Sequence, residues 1–181
     1  MRSLDRLTLA AAVLVVVASI GACGGGERRP EEARPEGSTV DVGGVAYTVS
    51  LARQINPNIP PASDWYQGPD PKGDALLFAV FLQACNSGSE PRAAASRFRL
   101  VGPFDARLAP KRLDEDNVFA YEPRELDPAQ CIPRKGSAAE RGAPGAMLLF
   151  EMPRDIYRNR PLRLEISGPE GGERASVEVD V

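Results

Sequence analysis

No position in this chain is histidine, which closes every chemistry that needs an imidazole: Ser-His-Asp and Cys-His nucleophiles, HExxH metalloproteases and His-ligated haem. Carboxylates, thiols and aromatics remain. The densest acidic group is Asp114-Glu115-Asp116, hard oxygen donors of the kind Ca²⁺ takes. Its spacing does not fit an EF-hand loop, and Lys111 and Arg112 adjoin it, so a solvated loop is the plainer reading. Asp64, Asp70 and Asp74 share one Pro/Gly-rich stretch, where they serve either as cation ligands or as turn formers. Glycosidase-like carboxylate pairs can be drawn in many ways among 25 Asp+Glu and carry no weight. GxSxG, Ser-x-x-Lys and P-loop patterns are missing. Catalytic residues, a metal site and a cofactor are therefore not expected. Trp65, the only Trp, is followed by Tyr66 in the same stretch. Such a pair is either the anchor of a partner-binding loop or a plug folded over the end of the domain. Plugging is the preferred reading, since an exposed pair invites aggregation.

The thiols are Cys23, Cys85 and Cys131. Arg2 and Arg6 precede thirteen uncharged residues, Thr8 to Ile20, and Gly21-Ala22-Cys23 follows. Thirteen residues are too few to span a bilayer, which takes about 20, but suit the h-region of a signal peptide. Ile20-Gly21-Ala22-Cys23 resembles the bacterial lipobox. The resemblance implies that the Cys23 sulfur receives a diacylglycerol and that cleavage makes Cys23 the first residue of the mature chain. The following Gly24-Gly25-Gly26 and mixed Glu/Arg/Pro stretch contain almost nothing to bury. As a coil, the fourteen residues from Gly24 to Gly37 reach about 20 Å on average. The expected organisation is a signal peptide over 1–22, a lipidated Cys and tether over 23–37, and one domain over 38–181.

Outside the cytoplasm the remaining pair, Cys85 and Cys131, is expected to oxidise, with Cα atoms about 4.4–6.8 Å apart. The alternatives are buried free thiols or a redox pair, and no CxxC spacing supports the latter.

The chain has 181 residues, 43% of them apolar, enough to build a core. A net charge of −3 argues against nucleic acid, which wants a basic face. Patterning points to strands. Thr39–Val42 and Val45–Leu51 flank Gly43-Gly44, a hairpin signal, and Val45, Tyr47, Val49 and Leu51 share one face at period two. Ala75 to Leu82 is an apolar octet between turn signals, read as a strand covered on both faces. Phe98 and Leu100 alternate with arginines. Gly145 to Met152 ends at Pro153. Leu162 to Ser167 and the Val177-Val179-Val181 alternation form a closing hairpin. Arg92 to Ser96 is expected as one helical turn. Seven or eight short strands predict an all-β, immunoglobulin-like β-sandwich.

Several of these pieces resemble the telokin-like, or immunoprotective extracellular, immunoglobulin-like domain of bacterial lipoproteins. The matching motifs are the octet with Asn86, Gly88, Glu90 and Pro91; Phe98 with Leu100; Gly145 with Phe150-Glu151-Met152-Pro153; and Leu162–Ile166. The loop 56–74 and the insertion 109–144 depart from that pattern. The resemblance implies a binding or structural domain on the cell surface with no catalytic residues; with the lipobox, the expectation is a non-enzymatic interaction domain, lipid-anchored through Cys23 at the extracytoplasmic side of the cell membrane, with an envelope or surface protein as partner. The competing expectation is a small-ligand or metal-ion sensor that uses the 56–74 loop.

Overall fold

In the computed structural model, which describes residues 32–169 and 171–179, Gly43 and Gly44 both take positive φ, 66° and 76°. Two consecutive left-handed residues are what a type I′ turn requires, and glycine meets the demand without a Cβ penalty. The turn joins β1 (Thr39–Val42) to β2 (Val45–Ile55). Val45, Tyr47 and Val49 point into the core as expected. The expected continuation to Leu51 fails. A register shift between Val49 and Leu51 hands the inward face to Ala52, and Leu51 and Ile55 pack on the opposite face. One extra residue in a strand reverses every side chain beyond it.

The one-turn helix α1 (Ala62–Trp65) interrupts the long loop, and β3 (Ala75–Cys85) follows. Next come β4 (Arg92–Ala93), β5 (Arg97–Val101) and β6 (Arg107–Leu108). The insertion holds β7 (Glu125–Leu126), β8 (Cys131–Ile132) and α2 (Ala138–Gly142). The chain closes with β9 (Ala146–Pro153), α3 (Arg154–Arg158), β10 (Leu162–Ser167) and β11 (Arg174–Val179). Val181 of the expected closing hairpin lies outside the described residues.

One sheet runs β1-β2-β3, with β8 and β9 both on the far edge of β3; the other runs β11-β10-β5-β6. Seven strands have four residues or more, and the rest are two-residue pieces. With β2, β3 and β9 as strands A, B and E, and β5, β10 and β11 as C, F and G, the order is that of the immunoglobulin sandwich. The expected helical turn at 92–96 is replaced by β4, which pairs with β7. The backbone there has tertiary partners: Ala94 N–H donates to Arg124 O, and Ala95 is held by two tyrosines. Those partners outweigh a short run of helix-favouring alanines.

The octet is buried on both faces. Leu76, Phe78, Val80 and Leu82 lie between the sheets, and Leu77, Ala79 and Phe81 face outward beside Met147 and Leu149. A two-sheet sandwich covers only one of those faces. The second cover comes from Trp65 and Tyr66 of the 56–74 loop and from Leu113, Phe119 and Ala143 of the 109–144 insertion. The two departures from the telokin-like pattern are thus one feature, a third layer over the outer face of the larger sheet.

Residues ahead of β1 also bond to the sandwich. Arg34 forms a parallel bridge to Val177, and the Glu36 carboxylate accepts from Ala52 N–H at 3.2 Å. Backbone pairing of this kind needs no apolar side chain, so composition does not reveal it.

Candidate functional site

Trp65 and Tyr66 are 7% and 4% exposed. The indole meets Phe81 edge-on at 4.7 Å, and its Nε1–H donates to Gly142 O at 2.8 Å. Asn117 Nδ2 donates to Trp65 O at 3.0 Å, and Tyr66 Oη donates to Pro69 O at 3.2 Å. The pair offers no exposed ring to a partner. It also covers the outer face of the larger sheet and not the end of the sandwich, because Phe81, its contact, belongs to the outward row of β3.

Glu151 ties both insertions to β9. Its carboxylate accepts from Lys111 Nζ at 3.1 Å and from Lys72 N–H at 3.4 Å. The Lys111 hydrogen bond, then that of Lys72, holds the Glu151 carboxyl below its ordinary value; the same bond raises Lys111. A depressed folded pKa stabilises the fold fully above the unfolded value, about 4.3. That contribution is lost as pH falls through the lower folded value. The expected result is that Glu151→Gln is less stable than wild type at pH 7 and that the difference shrinks below about pH 4. Urea unfolding at pH 7 and pH 3 checks it; a difference that grows on acidification contradicts it.

Cys85 and Cys131 lie opposite each other in the β3–β8 ladder and form a disulfide. Their Cα atoms are 4.1 Å apart, slightly closer than expected. The adjoining Asn86 is 1% exposed and fully partnered. Its Nδ2 donates to Glu90 O at 2.7 Å and Leu126 O at 2.8 Å, and its Oδ1 accepts from Gly88 N–H at 2.9 Å. Its backbone N–H donates to Gln130 O, and its carbonyl accepts from Ala129 N–H. This explains the Asn86-x-Gly88 motif: the side chain replaces a strand in joining β3 to the insertion. Asn86→Ala is expected to cost about 1–3 kcal/mol, because it strands the buried Leu126 carbonyl. Denaturant unfolding measures the loss, and a variant as stable as wild type counts against it.

A second polar cluster was not legible in the chain. Tyr47 Oη accepts from Ala95 N–H at 2.5 Å, and Tyr121 Oη donates to Ala95 O at 2.9 Å. Burial raises the pKa of both phenols. They hold the chain between β4 and β5, and both hydroxyls are taken up by the Ala95 backbone. Only the period-two position of Tyr47 hinted at its burial.

The carboxylates singled out for cation binding lie on the surface, where Asp64, Asp114 and Asp116 border one recess of about 370 Å³. Asp74 pairs with Arg154 at 3.0 Å, Asp70 accepts from Asn58, and Glu115 pairs with Arg112 at 3.3 Å. Asp64, Asp114 and Asp116 are exposed. Among the described residues no group of three or more His, Cys, Asp or Glu is placed to hold a metal ion. Cys23 lies outside the described residues.

Both ends of the sandwich carry an open recess, one of about 650 Å³ among Gly44, Arg92 and Pro169 and the other beside α3. The second, a groove of about 630 Å³, runs along Arg53, Gln54, Ile55, Ile59, Pro61 and Tyr157. Arg160 stacks over the Tyr157 ring at 4.8 Å. At the same end, the turn between β5 and β6 carries Phe104 and Asp105 at φ 57° and 56°, with Phe104 79% exposed. A bulky residue in the left-handed region costs of order 1–3 kcal/mol, which the hairpin bond Gly102 N–H to Ala106 O helps to hold.

Strand order and layers define the class, an all-β sandwich of immunoglobulin topology. The fold resembles that of YcdA from Bacillus subtilis subsp. subtilis str. 168, a protein described as a "putative lipoprotein". The TM-score is 0.53, with 12% identity over 80% of this chain and 38% of YcdA. The chain therefore spans little more than a third of that protein. An uncharacterized beta-sandwich protein from Clostridium difficile 630 aligns with a TM-score of 0.47 and 8% identity, over 85% of this chain and 99% of its own. No protein-family model matches the chain. No curated protein matches it either.

Proposed function

We propose that the chain is a bacterial lipoprotein, acylated on Cys23 and facing the extracytoplasmic side of the cell membrane. Its telokin-like sandwich acts without catalysis, by binding an envelope or surface protein. The observation that carries this reading is the N-terminal order of two arginines, thirteen uncharged residues and Ile20-Gly21-Ala22-Cys23, directly ahead of a sandwich. The Cys85–Cys131 bond supports it, since such bonds persist in oxidising compartments. So does the like fold in a protein described as a putative lipoprotein. The non-enzymatic part rests on the lack of histidine and on Asn86, Tyr47 and Tyr121 being spent on backbone partners. The sensor alternative has in its favour only the recesses that the 56–74 loop borders at Ile59, Pro61 and Trp65 and at Asp64; the loop's aromatics are packed, and Asp70 and Asp74 are engaged by Asn58 and Arg154.

The test is metabolic labelling of the full chain with an alkyne fatty acid, followed by detergent-phase partitioning. Wild type is expected in the detergent phase with label, and Cys23→Ser as an unlabelled, uncleaved precursor. A Cys23→Ser chain that still takes label, or a wild type that takes none, overturns the reading.

A further inference from the structure

We infer that the outer face of the smaller sheet is the surface by which the domain binds, and that its partner is a protein segment presenting carboxylates. The inference rests on the binding role proposed above; its new content is the face and the charge of what it takes.

Alternation puts one row of each strand on that face. Phe98 and Leu100 point into the core, so Arg97, Arg99 and Val101 of β5 point out. In the same way β10 turns out Arg163, Glu165 and Ser167, and β11 turns out Arg174 and Glu178. Arg107 of β6 joins them, paired with Val101. The registers make a mosaic. Arg99 lies opposite Glu165, Arg163 lies opposite Glu178, and Ser167 has Arg97 on one side and Arg174 on the other. Neighbouring strands are about 4.8 Å apart, so the five arginines share a patch roughly 15 Å across.

Five guanidiniums against two carboxylates leave a surplus of three positive charges, in a chain whose formal charge is −3. Contacts within the fold do not use that surplus up. Glu165 pairs with Arg107 at 3.1 Å. Arg97 donates to Gly168 O at 3.0 Å and Arg99 to Phe98 O at 3.2 Å, neutral acceptors that leave both charges in place. The guanidiniums of Arg163 and Arg174 have no hydrogen bond or ion pair among the described residues. Glu173, beside Arg174, turns its carboxylate to Gly43 N–H at 2.6 Å. All five arginines are exposed among the described residues.

The two outer faces of the sandwich thus differ in kind. That of the larger sheet is apolar and lies under the third layer. That of the smaller sheet is charged, and Val101, its apolar residue, is buried. A partner there finds almost no apolar surface to cover, so charge must recognise it. Arginine's planar fork pairs with a carboxylate through two parallel hydrogen bonds. Glu165 and Glu178 select against a uniformly anionic surface such as a lipid leaflet, whose phosphates would face them as well. A protein segment can set separate carboxylates over Arg163 and Arg174 and meet the two glutamates with other groups.

The test is fluorescence anisotropy of a short labelled peptide of alternating Glu and Ser against the full chain in an uncharged detergent. Binding is expected at about 20 mM salt and is expected to weaken several-fold at about 150 mM, as screening sets in. Arg163→Glu/Arg174→Glu is expected to lower the affinity about tenfold or more. Arg112→Glu/Arg134→Glu, the same change of charge on exposed arginines of the 109–144 insertion, is expected to lower it no more than about twofold. A peptide that does not bind, or that both reversals weaken equally, overturns the inference. Modification of the wild-type chain by phenylglyoxal needs no substitution. The peptide is expected to protect Arg163 and Arg174 and to leave Arg112 and Arg134 reactive; equal protection overturns the inference. With vesicles in place of peptide, Arg163 and Arg174 are expected to react as fast on phosphatidylcholine/phosphatidylglycerol as on phosphatidylcholine alone. Protection by phosphatidylglycerol makes lipid headgroups the occupant and overturns the inference. None of these measurements depends on a lipid at Cys23. If metabolic labelling finds none, the acylation reading falls and the arginine face is still decided by the peptide; if the arginines take no peptide, this inference falls and labelled wild type keeps the acylation reading.

Discussion

Trp65→Ala is expected to lower the unfolding free energy by about 3–5 kcal/mol, the range for truncating a large aromatic in a packed interior. The indole fills the contact between Phe81 on the sheet and the 109–144 layer, so its loss opens a cavity that three elements line. It also leaves the Gly142 carbonyl without the Nε1–H donor. Trp65→Phe keeps a ring against Phe81 and gives up the N–H, and is expected to cost less than the alanine variant. Circular dichroism follows the unfolding, since the variants lack the only Trp. In wild type the Trp emission is expected to be blue-shifted and protected from aqueous quenchers. Red-shifted, quenchable emission, or a loss below about 1 kcal/mol, contradicts the packed position.

Removing the disulfide is the second large effect. The Cys85→Ser/Cys131→Ser double variant is expected to lose about 4 kcal/mol, from the chain entropy that a 46-residue cross-link withholds from the unfolded state. The damage is expected to centre on β8, whose pairing with β3 is two residues long. Asn86 follows Cys85 directly, so its bonds to Leu126 and Gln130 bear the load once the covalent link is gone. Denaturant midpoints with and without reductant measure the effect. Wild type is expected to weaken on reduction to the level of the double variant, which does not respond. A wild type indifferent to reductant contradicts the prediction.

The outcomes in the third layer show where sequence reading stops. Trp65-Tyr66 could be narrowed to anchor or plug, because an aromatic pair with polar edges suits both. The choice depended on what lay across from the loop, and that was Phe81, sixteen positions on in the chain, with Gly142 much farther along. The apolar octet demanded two covers, yet nothing local said that the second would come from the 56–74 and 109–144 segments together. Asn86 and Gly88 were visible as a motif, while the partners that explain them, Leu126 and Gln130, sit in a stretch without a readable pattern. Tyr121 likewise had no periodic neighbours to mark it.

The chain by itself determined what short-range sterics and patterning decide. The Gly43-Gly44 turn follows from φ > 0 being open to glycine. The alternation of β10 and β11 follows from the two-residue period of a strand. The double burial of β3 follows from a continuous apolar run. The pairing of the two cysteines follows from there being no other thiol in the domain. The N-terminal lipobox resemblance is local in the same sense. Tertiary structure alone decided the bulge that turns Leu51 away from the core and the replacement of a helical turn by β4. It also placed the third layer, and it joined Arg34 to β11. Each of these depends on a backbone hydrogen bond or an apolar cover supplied from far along the chain. Backbone pairing is blind to side-chain type, and a cover is chosen by what the completed fold brings near.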